Sequence, residues 1–211
     1  MEQGAFILAF AAGMVNAIAL LGFNHQGVSH LSGIATLIGV EAAQANTGVA
    51  LHLVAMIVSF VVGAAASGLI VGGQPLVLGR RYAVCLFLEA SLLLAALVVL
   101  TSGSSTGDFL AAAACGLQNA MTSTFTGSMV RTTHVTGVIT DLGVALGLRL
   151  RGESIGPRRV VLYLLLVTGF VAGGATGAFA FTAWGYVALG APCAIVFLIG
   201  IGALWLSPKG A

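Results

Sequence analysis

Charge is what this sequence has least of. Only 7% of its 211 residues are charged, eight basic and six acidic, for a net charge of +2. A soluble domain carries about a quarter charged residues, so these few cannot solvate a surface of this size. Nor is the chain polar: 59% of it is hydrophobic and the mean hydropathy is +1.09. That balance excludes a water-soluble globule, and also a disordered chain, which needs low hydrophobicity and high charge. The sequence has no G-x-S-x-G, no H-E-x-x-H and no phosphate-binding loop, so nothing marks an enzyme or a nucleotide-driven pump. Cys85, Cys115 and Cys193 lie inside apolar runs and read as small packing residues, not as disulfide partners. His25, His30, His52 and Glu41 match no zinc spacing, and no pair of histidines is placed to ligate haem, so no metal or other cofactor is expected. The basic residues stand singly or in short clusters, which orients a membrane protein and is no nucleic-acid footprint.

What the chain does have is apolar length. Long runs fall at about 4–22, 50–72, 82–101, 109–127, 160–182 and 185–206. Each can cross a hydrocarbon core of about 30 Å as a helix. The first begins without a basic flank and beside Glu2, so it is expected to be kept as a span and not cleaved as a signal. Two segments, His30 to about Ala43 and His134 to about Leu148, are too short for a crossing and suit buried or re-entrant pieces.

The arginines decide between eight crossings and six. If both short segments cross, Arg80, Arg81 and Arg131 fall on one side and Arg149, Arg151, Arg158, Arg159 and Lys209 on the other. If both return to the face they left, all eight basic residues share one face, with Glu41 and Asp108 near the other. The positive-inside rule selects the second arrangement and puts both termini in the cytoplasm.

The chain also repeats itself. Gly13-Met14-Val15-Asn16-Ala17 matches Gly116-Leu117-Gln118-Asn119-Ala120, and Ser29-His30-Leu31-Ser32-Gly33-Ile34 matches Thr133-His134-Val135-Thr136-Gly137-Val138. Thr36 and Gly39 pair with Thr140 and Gly143, Phe60 and Gly63 with Phe170 and Gly173, and Tyr82 with Tyr186. The halves are 1–103 and 104–211, each with three crossings. An odd number inverts the second copy, the plan of many transporters with midplane solute sites. The expected fold is an all-α polytopic membrane protein: six transmembrane helices plus two re-entrant half-helices in a 3+3 inverted repeat, one dipping from outside and one from inside.

These motifs carry a family resemblance. Asn16, Ser29-His30-Leu31-Ser32-Gly33, Gln118-Asn119-Ala120 and Thr133-His134-Val135-Thr136-Gly137 make the chain similar to the YoaK-like family of small bacterial inner-membrane proteins. The resemblance covers nearly the whole chain and implies a bacterial plasma-membrane protein. It brings no substrate and no catalytic residue. Family members often carry H-x-T-G-N in the first copy, whereas this chain has Ile34 in place of that Asn.

Function is then read from the residues. Phe23–Val28 and Gly127–Thr132 are poor helix formers, and Ser29 and Thr133 are expected to cap helices beginning at His30 and His134. Two helix N-termini facing each other at mid-bilayer would attract an anion or the acceptor atoms of a neutral solute. Gly33 and Gly137 would let it approach the backbone closely. The expected solute site is Asn16, Ser29, His30, Ser32, Gly33, Asn119, Thr133, His134, Thr136 and Gly137, with the two histidines close together. Asn16, Gln118 and Asn119 could equally hold helices together, and Arg131 reads as loop charge or as an anion contact.

Glu89, eight or nine residues into its span and matched by Cys193 in the other half, is expected to couple protons. Asp141, two turns beyond His134, is expected to hold solute or gate it. Glycines 169, 173 and 177 form one helix face that packs the halves together or joins two copies. Transport of a small solute is the expected function, with the lipid bilayer as surroundings. The alternatives are a passive pore of aquaporin or formate-channel type, or a non-transporting membrane subunit or sensor. The Asn-Pro-Ala signature of aquaporins is absent.

Overall fold

The computed structural model describes residues 2–22, 27–72, 79–125, 133–153 and 156–205. Among them are eight α-helices and no strand: α1 Glu2–Gly22, α2 Leu31–Ala43, α3 Thr47–Val71, α4 Arg80–Thr101, α5 Gly107–Phe125, α6 Val135–Leu150, α7 Pro157–Trp184 and α8 Gly190–Trp205. A short 3-10 turn, Gly185–Leu189, joins the last two. The apolar runs become helices because buried backbone groups must bond to one another. They stop where the sequence supplies a breaker. Gly103 and Gly185 take the left-handed conformation (φ 88° and 56°) that closes the α4–α5 and α7–α8 turns.

Among the described residues, four stretches are long and apolar enough to cross a bilayer: Glu2–Gly22, Thr47–Val71, Arg80–Thr101 and the continuous Pro157–Trp205. α5 is not among them, because Asp108, Gln118, Asn119, Thr122 and Ser123 dilute its apolar content. The outer faces of the long helices carry many large apolar side chains. On α3, Leu51, Val58, Val62 and Leu69 are exposed, and on α7, Val171 and Phe179. Such faces suit hydrocarbon and not water.

Glycine sets how the helices pair. In α7, Gly169, Gly173 and Gly177 lie against Phe6, Phe10 and Met14 of α1, while Gly13 of α1 lies against Phe170 of α7. The α3–α5 contact repeats this, with Gly63 against the Ala113 carbonyl and Gly116 against that of Phe60. The sequence left open whether the α7 glycines join halves or copies; they face α1 of the same chain. The two pairs are built at equivalent positions, each from one helix of either half.

Both pairs are parallel. Arg158 Nε donates to Glu2 Oε1 at 2.9 Å where α1 and α7 begin, and Tyr186 Oη donates to the Gly22 carbonyl at 2.8 Å where they end. Between α3 and α5, His52 meets Asp108 on the N-terminal side of the glycine contacts. α4 runs antiparallel to α8: the Phe87 ring meets the Phe197 ring at a tilt with centroids 5.3 Å apart, Cys193 Sγ donates to the Ala90 carbonyl at 3.3 Å, and Leu97 meets Gly190. Gly107 lies against Leu100 at the turn into α5. The C-terminal ends of α1, α4 and α7 thus gather with the N-terminal ends of α3, α5 and α8. α1 therefore hands over to α3 at one end of the bundle, with α2 between them. α5 hands over to α7 at the other, with α6 between.

Candidate functional site

The helices of the repeated motif begin at Leu31 and Val135, one residue later than expected. His30 and His134 occupy the N-cap positions, and neither helix has a side-chain cap hydrogen bond. The expected capping by Ser29 and Thr133 is corrected. Their hydroxyls and backbone N–H groups turn to an asparagine on the preceding long helix instead.

Asn16 Oδ1 accepts the Ser29 hydroxyl at 2.8 Å and the Ser29 N–H at 3.3 Å. In the other half, Asn119 Oδ1 accepts the Thr133 N–H at 3.3 Å, and Asn119 Nδ2 donates to the Thr133 hydroxyl. The motif therefore has a second, more distant half that its local spacing conceals. Asn16 lies six residues before the end of α1 and Asn119 six before the end of α5. At 1.5 Å per residue, each clamp draws the returning chain about 9 Å back along its helix.

Beyond the clamps the two helices diverge. α2 packs on α3 and α6 on α7, and α2 and α6 do not touch. His30 and His134 are exposed and share no hydrogen bond or ring contact. Each imidazole lies over the first turn of its own helix, beside Gly33 or Gly137. Ser32 and Thr136 are exposed, and their carbonyls accept the Thr36 and Thr140 hydroxyls at 3.0 and 2.9 Å. Ser29, Asn16, Thr133 and Asn119 are thus brought together in pairs, while the residues of the two motifs are not brought into contact. The stretches 23–26 and 126–132, with His25 and Arg131, lie outside the described residues.

Glu89 is 3% exposed, and its Oε2 has no hydrogen-bond partner among the described residues. Cys85, Cys115 and Cys193, all free thiols, and Tyr82 lie within electrostatic reach of it. Gln118, 1% exposed, donates to the Leu8 carbonyl at 3.4 Å and ties α5 to α1. Asp141 is exposed beside the Tyr163 hydroxyl of α7, which accepts from Arg159 Nε at 2.8 Å. That position is at the α6–α7 contact, apart from Glu89.

One pair went unread in the sequence. His52 Nε2 lies 3.1 Å from Asp108 Oδ2, linking α3 to α5 across 56 positions. Both residues sit at span edges, where polar residues are ordinary, and nothing in their local pattern couples them.

Fold and outer surface together define an all-helical protein of membrane type. The chain belongs to the family described as protein of unknown function (DUF1275), whose model matches residues 4–202. That membership is consistent with the YoaK-like resemblance of its motifs. No curated protein and no solved structure matches the chain.

Proposed function

We propose that this protein passes a small anionic or acceptor-rich solute across the bacterial inner membrane, without catalytic activity. In this reading six helices cross the bilayer, both termini are cytoplasmic, and α2 and α6 are half-helices of an inverted repeat. The observation that carries it is the pair of asparagine clamps. Each pulls the chain back beside the helix it has just left, at opposite ends of the bundle. Non-helical backbone held at that depth, as at Ser29 and Thr133, is tolerated only inside protein or beside a water-filled path. Trp184 and Trp205, 67% and 87% exposed, end α7 and α8 at opposite ends of the bundle, as interfacial aromatic belts require.

The helix contacts suggest how such a site would work. The glycine contacts lock α1 to α7 and α3 to α5 as two units. α2 packs on α3 but is clamped to α1; α6 packs on α7 but is clamped to α5. Each half-helix is a strut between the two units, so their relative tilt moves the two N-termini in opposite senses. Asn16, Ser29, His30, Ser32 and Gly33 then face solute from one side, and Asn119, Thr133, His134, Thr136 and Gly137 from the other. Glu89 carries the coupled proton and Asp141 gates the inner half. Gly68 and Gly202 face open space and remain available to lipid or to a second copy.

Topology tests this reading. In a background lacking the three native cysteines, single cysteines at Asn46, Ser104 and Ala183 are expected to label from the periplasm. Those at Leu76 and Ser154 are expected to label only from the cytoplasm. Labelling of positions 46 and 76 from the same side would refute the six-crossing arrangement and the site built on it.

A further inference from the structure

We infer that His52 and Asp108 form a pH-sensitive latch that holds the starts of α3 and α5 together. The inference rests on the transport reading only for the face it assigns, which is the outward one. Asp108 has a side chain 4% exposed, whereas that of His52 is 26% exposed. The acid is sealed in while the imidazole reaches the surface. Asp108 Oδ1 is buried with no hydrogen-bond partner among the described residues, so the one bond from His52 is what holds this carboxyl. The ring of His52 rests on Phe109 at 4.8 Å between centroids, which fixes its direction.

The surroundings add little competing charge. Tyr186, from the turn between α7 and α8, lies within electrostatic reach of Asp108 and spends its hydroxyl on the Gly22 carbonyl. Glu41, at the end of α2, accepts from Asn46 Nδ2 at 2.8 Å. α1 and α4 bring no titratable or charged side chain to this end among the described residues. Asp108 itself lies in the first turn of α5, where the helix favours an anion.

The contrast with the other glycine-locked pair gives the latch its meaning. α1 and α7 are joined at their starts by Glu2 and Arg158, an exposed pair whose guanidinium stays charged throughout the physiological range. α3 and α5 are joined by a histidine, the side chain that changes charge between about pH 5 and 8. A neutral imidazole gives the Asp108 carboxylate one hydrogen bond; an imidazolium adds the attraction of opposite charges 3.1 Å apart in a largely buried setting. Between about pH 8 and 6, falling pH therefore tightens this end of the bundle and rising pH loosens it, while the Arg158 end does not respond.

Amide hydrogen exchange of the whole protein in lipid nanodiscs, corrected for the intrinsic pH dependence of exchange, reads the latch without any solute. Protection across residues 50–56 and 111–115 is expected to be about tenfold greater near pH 6 than near pH 8, the factor produced by about 1.4 kcal/mol. His52→Gln retains a donor but gains no charge, and should be weakly protected at both pH values. His52→Arg should be strongly protected at both. A flat profile in the wild type, or a Gln variant that keeps the response, overturns the latch. Should neither variant fold, the wild-type profile decides alone. Because no transport is measured, the latch can fail while the transport reading stands, and the reverse.

Discussion

Alanine at Gly63 or Gly173 is expected to destabilise the folded protein severely. A Cβ built on Gly63 would lie inside the contact radius of the Ala113 carbonyl, and one on Gly173 inside that of the Phe10 carbonyl. The obstacle in both cases is helix backbone, which cannot swing aside as a side chain can. The paired helices would have to separate along their whole contact, and core overpacking of this kind costs about 3 kcal/mol at the upper end of its usual range. A large share of the stability of an ordinary domain would be lost. Gly68→Ala and Gly202→Ala make the control, since both positions face open space within their helices. There alanine should be neutral or stabilising by up to about 1 kcal/mol, the difference in helix propensity. Thermal unfolding of the purified variants in detergent checks this. Equal melting temperatures for Gly63→Ala and Gly68→Ala would contradict the packing described.

The second large effect is expected at Glu89. Its carboxyl is buried with one oxygen unpartnered among the described residues, and Cys85, Cys115 and Cys193 lie within electrostatic reach of it. Leaving a buried polar group unpaired costs of order 1–3 kcal/mol, and an unpaired charge costs more. The equivalent position in the other half is Cys193, so the repeated fold does not require an acid here. Glu89→Gln preserves shape and hydrogen-bonding capacity but cannot take up or release a proton. Proton flux into proteoliposomes, followed with an entrapped pH dye under an imposed gradient, should fall at least about tenfold in the Gln variant, the scale of losing a group that acts by proton transfer. Its melting temperature should stay near that of the wild type. Unchanged flux with unchanged stability would make Glu89 a packing residue.

Much of this was legible in the sequence, and what was not has a physical reason. Helices and their ends follow from apolar length and glycine breaks, so α1, α3, α4 and α7 lie within a few residues of the expected spans. The repeated Ser/Thr-His motif stood out because its residues are consecutive. Its asparagine partners were visible as a second match, but not their role. A hydroxyl thirteen residues away from Asn16 was read through its nearest option, capping its own helix, and the tertiary bond won. The α7 glycines announced a close contact but not with what, since a small-residue stripe carries no address. His52 and Asp108 were invisible as a pair because 56 positions and a helix crossing separate them.

Solute flux through the purified protein tests the central claim most directly. Stopped-flow swelling or shrinkage of proteoliposomes can be followed with a panel of small anions, small neutral polyols and small cations. The account predicts flux above that of protein-free vesicles for at least one anionic or acceptor-rich solute, lost when Asn16→Ala and Asn119→Ala release both clamps. Flux equal to that of empty vesicles across the whole panel, from protein whose cysteine labelling confirms correct insertion, would contradict it.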